Sequence, residues 1–400
     1  MITDVTIESS SSYPNEDQLN VGVAWRWLSL FRLLMSVGLV TAAAGALLGG
    51  PRFWSVLLLV SVYLVGLGLA GAALMTFEYL SGAGWSVALR RVPEAMTALL
   101  PVGGVGVLLV LVFQSSLYPW TSGEHHFVGF KAIWLNWPFF LLRAVAYLAI
   151  WIGFARTMVR NSRRQDGTGN HNLRERNVAV SAAFAVLFAL TVWLASVDWL
   201  MTLEPEWFST IYGVYHFSGI MASGIAAVIL FGLWLRRLGP WHNVLREEHL
   251  QDLGKLLLTF CTFWAYIWFS QYMLIWYANI PEETGYYVRR LSGAWGSLMI
   301  VSLLLNWAIP FFVLLPRGNK RNSRIIGQAA IAVLVGRWLD LYLAIVPANP
   351  EATPIPDLWM VGLTLGLLGV TGMFFWRAIR QAPVVPVGDP YLSESLHYHR

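Results

Sequence analysis

Charge is scarce in this sequence. Only 12% of its 400 residues are Asp, Glu, Lys or Arg, whereas 57% are hydrophobic. A water-soluble domain usually carries about 25% charged residues, because its surface must stay polar. The shortage of charge excludes an ordinary soluble domain and favours a chain whose outer surface faces lipid.

Cysteine and membrane-embedded histidine are also nearly absent. The single cysteine, Cys261, lies in an apolar stretch and is expected to be a small packing residue. One thiol cannot form an internal disulfide or supply the four ligands of an iron–sulfur cluster. His216 is the only histidine within a predicted span, and this excludes a membrane haem held by two histidines of this chain. We therefore predict no bound haem, iron–sulfur cluster or other redox metal, and we assign no catalytic residue.

Ten apolar runs are each long enough to cross the hydrocarbon layer as a helix, which takes about 20 residues. None shows the alternation of a barrel strand, and in lipid only helices then satisfy the backbone. The runs are 25–48, 53–77, 93–115, 133–156, 178–201, 211–235, 253–278, 291–315, 324–346 and 357–379. The sequence therefore predicts an all-α integral membrane protein with about ten transmembrane helices.

Arginine and lysine concentrate in the connections after the second, fourth, sixth, eighth and tenth runs. The positive-inside rule places these connections and both termini in the cytoplasm. We predict a cytoplasmic tail at 1–24, a membrane domain at 25–379 and a second cytoplasmic tail at 380–400. The net charge of +5 is then a topology signal rather than evidence for a nucleic-acid partner.

The opposite connections are rich in Trp, Tyr, Pro and Glu, as at 204–207 and 281–283. Interfacial anchoring in the bilayer explains the aromatic residues. A rigid docking surface for a partner on the outer side is the alternative, and both interpretations remain open.

Ionisable residues inside the predicted spans form the candidate site, because such groups are costly in lipid and usually serve a function. The candidates for a proton path are Glu78, Glu94, Arg143, Asp198, His216, Arg337 and Asp340. Arg337 and Asp340 are three residues apart on one helix face and are expected to neutralise each other. Arg143 has no local partner, so it needs one on another helix or a water-filled cavity.

Asp198 and His216 are also candidates for a quinone site. A short connection separates them, so their side chains could lie together at the outer surface. Histidine titrates near neutral pH and a carboxylate can orient it, a pair suited to accepting a proton from a hydroquinone. In the alternative interpretation, the histidine is hydrogen-bonded within the bundle and the aspartate caps a helix end.

Glu78 and Glu94 flank the connection that contains Arg90 and Arg91. A carboxylate near a helix N-terminus is electrostatically favoured, and this alone explains Glu94. Entry to a proton path from the cytoplasm is the second interpretation of the two glutamates.

Several segments together resemble one known family. They are GWSVALRRVPE at 84–94, DWLMTLEPEWFST at 198–210, YGVYHFSG at 212–219, SQYMLIWYANIPEET at 270–284, RWLDLY at 337–342, and DP at 389–390 with ESL at 394–396. The chain resembles the NrfD-like (polysulfide-reductase type) membrane subunits of bacterial alternative complex III, a quinol:electron-acceptor oxidoreductase. Its length and tail are most similar to the smaller of the two such subunits, the ActF type.

The resemblance implies two four-helix bundles, from spans 2–5 and 6–9, flanked by spans 1 and 10. It also implies partners, namely the sister NrfD-like subunit ActC, an outer-side iron–sulfur subunit, cytochrome c subunits and small membrane subunits. The better-supported quinol site of the family belongs to ActC. The implied role of this chain is support of the complex with a proton-conducting path, and a bound quinone or lipid remains open.

Two other functions stay open from the sequence. The first is a quinol-binding membrane anchor of a molybdopterin oxidoreductase, as in other NrfD-like proteins. The second is a secondary transporter acting alone, which would need broken helices at matching positions of two halves. The sequence shows no clear pair of such breaks.

Overall fold

The computed structural model describes residues 21–122, 127–170, 172–239, 241–349 and 352–399. Ten helices in these ranges are long and apolar enough to span a membrane, and no strand occurs there. We number them α1 to α10 in chain order: Ala24–Leu48, Pro51–Ser81, Arg91–Phe113, Trp137–Thr168, Asn172–Leu203, Tyr212–Leu238, Glu247–Ala278, Gly293–Leu314, Ser323–Ala348 and Leu358–Ile379. The chain is an all-α, multi-pass membrane protein, as predicted. Most of the predicted N-terminal tail lies outside the described residues.

All ten predicted spans are confirmed, but several helices extend beyond the apolar run that revealed them. The fourth reaches Thr168 instead of 156, and the seventh begins at Glu247 instead of 253. Hydropathy marks only the part in lipid, whereas Arg, Gln and Glu continue a helix readily into the polar layer. The fourth helix also begins later than predicted, at Trp137, because the Asn136 side chain caps it and Pro138 occupies its first turn.

The helices form two bundles, as the family resemblance implies. Helices α2 to α5 pack together, α6 to α9 pack together, and α2 contacts α6 and α9 across the boundary. A Cβ atom built on Gly224 would lie 2.1 Å from the Cβ of Ala70, so the two bundles meet through small residues. Helices α1 and α10 pair with each other and pack along α2, so they flank the bundles as a unit.

Two ends of the molecule differ in composition. The basic end comprises the connections 82–90, 169–170, 241–246 and 315–322, and residues 380–399. The aromatic end comprises 49–50, 114–122, 127–136, 204–211, 279–292, 349 and 352–357, including the short helix Pro281–Leu291. The even-numbered helices run from the aromatic end to the basic end.

Glycines allow α1 and α10 to pack closely. A Cβ built on Gly38 would lie 2.3 Å from the Cα of Gly366. Gly362, Gly369 and Gly372 make similarly close approaches to α1, and their spacing places them on one face of α10. In lipid, such contacts depend on small residues, because no hydrophobic effect drives the two helices together.

We expect Gly366→Leu to separate the two helices and to destabilise the protein by about 1–3 kcal/mol, since the added side chain has no space. Thermal unfolding of the purified protein in detergent measures the effect. Gly153→Leu is the matched control, because a Cβ there meets no atom within 4 Å. Equal losses of stability in both variants would contradict the close α1–α10 contact.

Candidate functional site

The seven predicted site residues lie in four clusters of buried charge. Two clusters lie toward the aromatic end, one within each bundle, and two lie at the basic end. Each of the seven side chains forms a hydrogen bond or ion pair. The partner lies either on another part of the chain or on the next turn of the same helix. The clusters are Arg143 with Asp198, His216 with Arg337 and Asp340, Glu78 with Arg90 and Asp389, and Glu94 with Arg91 and Asp166.

The first cluster joins α4 to α5 inside the first bundle. The Arg143 guanidinium donates to both Asp198 oxygens, from Nε at 2.9 Å and from a terminal nitrogen at 3.0 Å. The Tyr147 hydroxyl and the Trp134 indole N–H also donate to this carboxylate, each at 2.9 Å. Arg143 thus has the partner on another helix that the sequence required. With four donors on its two oxygens, Asp198 is a fixed counter-charge.

The second cluster joins α6 to α9 inside the second bundle. Arg337 donates to Asp340, which confirms the predicted pairing along one helix face, and Tyr215 donates to the other Asp340 oxygen. A second Arg337 nitrogen lies 3.1 Å from His216 Nδ1. Gly219 makes room for the guanidinium, since a Cβ there would lie 2.6 Å from it.

The protonation of His216 follows from this contact. Arginine carries only donors, so His216 Nδ1 must accept and the ring proton must reside on Nε2. The residue is 1% exposed, and Nε2 has no hydrogen-bond partner among the described residues. The Tyr212 and Tyr215 rings meet the imidazole edge-on, at centroid distances of 4.4 and 5.0 Å. Nε2 is therefore a buried donor available to a ligand oxygen.

Asp198 and His216 were predicted to lie near each other, but the structure does not bond one to the other. Within the described chain, no hydrogen bond joins them, and each belongs to a different cluster. The reason is topological, because the short connection between α5 and α6 passes from one bundle to the other. Asp198 bonds toward α4 and His216 toward α9. The carboxylate linked to His216, through Arg337, is Asp340.

The third cluster fastens the C-terminal tail to the basic end. Arg90 bonds to Glu78, to Asp389 at 2.7 Å and to the Tyr79 hydroxyl at 3.2 Å, and it is only 1% exposed. Burial acts to lower the pKa of Arg90, but Glu78, Tyr79, Asp389 and Glu94 together outweigh it and hold this pKa well above the ordinary value. Arg90 is therefore a permanent positive charge between two acids.

The same tail is held at a second point by Ser395. Its hydroxyl donates to the Trp85 carbonyl at 2.6 Å and accepts from the Ala88 N–H at 3.0 Å. Its carbonyl lies 3.1 Å from His249 Nε2. His249, predicted to lie in a loop, belongs to the first turn of α7, and its other ring nitrogen accepts from the Arg246 N–H.

The fourth cluster lies beside the third. Arg91 bonds to Glu94 and to Asp166, and the Ser162 hydroxyl donates to the other Glu94 oxygen. Glu94 lies in the first turn of α3, where the helix N-terminus favours its charge. Each glutamate that flanks the connection 82–90 thus bonds to one arginine, Glu78 to Arg90 and Glu94 to Arg91.

Sequence reasoning missed Asp166 and Asp389. Asp166 lies ten residues past the predicted end of the fourth span at 156, within a helix that continues to Thr168. Asp389 was noticed only as part of a family motif. A helix that continues through polar residues, and an Asp-Pro pair after the last span, were the available signals.

A further ion pair ties the aromatic end together. Arg290, fully buried, donates to Glu204 at 2.6 Å and to the Leu343 carbonyl at 2.7 Å. Its guanidinium lies 3.5 Å from the centre of the Tyr286 ring, which stacks on Trp207 at 3.9 Å. Burial raises the pKa of Tyr286 to about 12, so this phenol stays neutral beside the arginine. These contacts thus join the acidic and aromatic connections to each other and to the end of α9.

No group of three or more His, Cys, Asp or Glu side chains among the described residues is placed to hold a metal ion. Cys261 is buried in the apolar core, in keeping with its predicted packing role. The predicted lack of bound haem and iron–sulfur clusters stays a prediction. Comparison with models of known protein families and with curated proteins finds no match.

Two helices are irregular. Helix α3 has a turn at 97–98, and α8 contains a π-helical turn at Leu304–Ala308 just before Pro310. These are the second helix of one bundle and the third of the other, so the irregularities do not occupy matching positions. The geometry therefore gives no support to a transporter built from two broken-helix repeats.

We expect Arg143→Met to destabilise the protein by about 3–5 kcal/mol, because the buried Asp198 carboxylate would lose its counter-charge. The double variant Arg143→Met/Asp198→Asn removes both charges and should recover much of this loss. Thermal unfolding in detergent measures all variants, with Arg176→Gln, an exposed position on α5, as the control. A double variant no more stable than Arg143→Met would contradict the pairing as the source of stability.

Proposed function

We propose that this chain is a membrane subunit of an alternative complex III-type quinol:electron-acceptor oxidoreductase, of the NrfD-like, ActF type. In this proposal it carries no redox centre and supports proton conduction or the architecture of the quinol site. Electrons would pass through the iron–sulfur and cytochrome c subunits that accompany it.

One observation carries the proposal. The segments that resemble the NrfD-like family are also those that supply the buried clusters. The 84–94 segment supplies Arg90, Arg91 and Glu94, and the 198–210 segment supplies Asp198 and Glu204. The motifs thus contain buried charged residues and not only hydrophobic ones. This supports a resemblance in function as well as in membrane topology.

The other segments behave in the same way, except 270–284, which supplies no residue of the four clusters. The 212–219 and 337–342 segments together supply Tyr215, His216, Arg337 and Asp340. The tail motifs supply Asp389 and Ser395. Intramembrane ionisable groups of this kind commonly mark proton relays, so their placement at both ends of the bundles supports a proton-conducting role.

His216 is the better supported of the two quinone-site candidates. Its Nε2 is a buried donor without a partner among the described residues, whereas Asp198 accepts from four donors. A quinol or quinone oxygen at Nε2 would be linked to the Asp340 carboxylate by a chain of contacts through the imidazole and Arg337. In this role the Nε2–H donates a hydrogen bond to the quinol or quinone oxygen, and the Arg337–Asp340 ion pair holds the orientation of the ring.

The proposed orientation places both termini and the basic end in the cytoplasm of a bacterium, with the aromatic end outside the inner membrane. The connections that the buried Glu204, Arg290, Trp207 and Tyr286 hold together then face outward. These connections are the proposed docking site of the iron–sulfur subunit. The lipid-facing helices are available to ActC and to small membrane subunits.

We expect His216→Gln to lower the rate of quinol oxidation by at least about tenfold, since glutamine accepts from Arg337 but lacks the imidazole Nε2–H that would position the quinol oxygen. The assay uses the purified complex, reconstituted in vesicles with an internal pH indicator. His242→Gln, at an exposed position of the basic end, is the control.

Two results would contradict the proposal. Unchanged oxidation and unchanged proton release in His216→Gln would remove His216 from the mechanism. Isolation of the chain with a molybdenum enzyme, and without cytochrome c subunits, would instead favour the membrane anchor of a molybdopterin oxidoreductase.

The orientation can be tested with thiol labelling, because the natural Cys261 is buried and should not react. We expect a membrane-impermeant maleimide to label Glu282→Cys in spheroplasts, and Ser393→Cys only after the membrane is permeabilised. Both positions are exposed, one at each end of the molecule. The reverse labelling pattern would place the termini outside.

A further inference from the structure

A large cavity opens at the basic end between α3, α4 and α10. Its volume is about 790 Å³, within the range of sites that bind small molecules. Toward the membrane interior its walls are apolar, formed in part by Val102, Ile152, Val159 and Phe374. The cavity is thus a hydrophobic groove that ends among charged side chains.

Five arginines line the charged part of this cavity. They are Arg156, Arg160, Arg163, Arg164 and Arg377. On α4, Arg156, Arg160 and Arg164 follow at intervals of four residues, which is about one helical turn or 6 Å. Arg163 adjoins Arg164, so the four arginines lie along one face of the helix. Arg377 approaches the row from the last turn of α10.

These arginines are largely without counter-charges. Arg163 donates to Gln381 at 2.7 Å and to the Ala378 carbonyl at 3.2 Å. The other four are exposed and form no side-chain hydrogen bond or ion pair with the described residues. Glu94 is the one carboxylate in the lining, and Arg91 and Ser162 already occupy it.

Several other arginines of the basic end are bonded within the protein. Arg236 donates to Ser323 at 3.1 Å, and Arg317 donates to Gln251 at 3.0 Å. Arg321 bonds to two glutamates of α7. Three further arginines are exposed but do not line the cavity, namely Arg176, Arg237 and Arg324. The cavity is thus the place where several exposed arginines meet an apolar groove.

We propose that this cavity binds an anionic phospholipid. The phosphate lies among Arg156, Arg160 and Arg377, whose planar guanidinium groups match phosphate oxygens in pairs. An acyl chain lies along the groove between α3 and α10. The site adjoins the fourth cluster at Glu94, but none of the arginines proposed to hold the phosphate belongs to a cluster. The proposal holds whether or not the chain acts in a quinol oxidoreductase.

Native mass spectrometry of the delipidated, purified protein tests the proposal. The probes are dioleoyl phosphatidylglycerol, dioleoyl phosphatidylcholine and inorganic phosphate, each titrated separately. The test variant is R156Q/R160Q/R377Q. The control is R176Q/R237Q/R324Q, which removes three exposed arginines of the same end that do not line the cavity. All six positions are exposed, and size-exclusion profiles check that each variant folds.

We expect phosphatidylglycerol to bind the wild type and the control with affinities within about twofold of each other. The test variant should bind on the order of 100-fold more weakly, at about 1 kcal/mol for each arginine lost. Phosphatidylcholine should bind all three proteins weakly. The single variant R160Q provides a second measurement, with an expected loss of about fivefold.

Three outcomes would overturn the proposal. Equal losses of phosphatidylglycerol affinity in the test and control variants would show that the lipid responds only to the general surface charge. Displacement of the lipid by millimolar phosphate alone would assign the arginines to a free anion. Unchanged lipid binding in the test variant, with loss of a protein partner from the isolated complex, would assign the cavity to that partner.

Discussion

The structure depends on one constraint, which is that a charge buried away from water needs an opposite charge in contact with it. An uncompensated ion in the interior costs several kcal/mol, and lipid offers no water to reduce that cost. The predicted buried ions meet this requirement in the described chain. Arg143 bonds to Asp198, Arg337 to Asp340 and Arg90 to Asp389. These pairs determine which helix faces point inward, where apolar packing alone would permit many rotations.

The ion pairs connect different parts of the structure at the two ends. Toward the aromatic end, Arg143 and Arg337 each bond within their own bundle, so each bundle has an ionic interior of its own. At the basic end, Arg90 bonds to a tail that belongs to neither bundle, and Ser395 fastens the same tail beside α7. The bundles are thus organised separately inside the membrane and joined by polar contacts at its surface.

How much the sequence could predict follows from the range of each interaction. The number of spans and their helical structure depend on local hydropathy, and Arg337 contacts Asp340 along one helix. All three features could therefore be predicted from the sequence. Arg143 and Asp198 are 55 residues apart, and His216 and Arg337 are 121 apart. Such pairs depend on which helices pack together, and a single sequence does not carry that information. Asp198 and His216 are close along the chain, yet each bonds within its own bundle and no hydrogen bond joins them in the described chain.

The bond between Arg90 and Asp389 has a consequence for biosynthesis, since its partners are 299 residues apart. A ribosome adding about 5–20 residues per second makes Asp389 roughly 15–60 s after Arg90. During that interval the first bundle is already threaded through the insertion machinery with one of its anionic partners missing. The nascent protein therefore has a defined unfinished state. Its basic end closes only when the tail arrives, which orders the last step of folding after the insertion of the tenth helix.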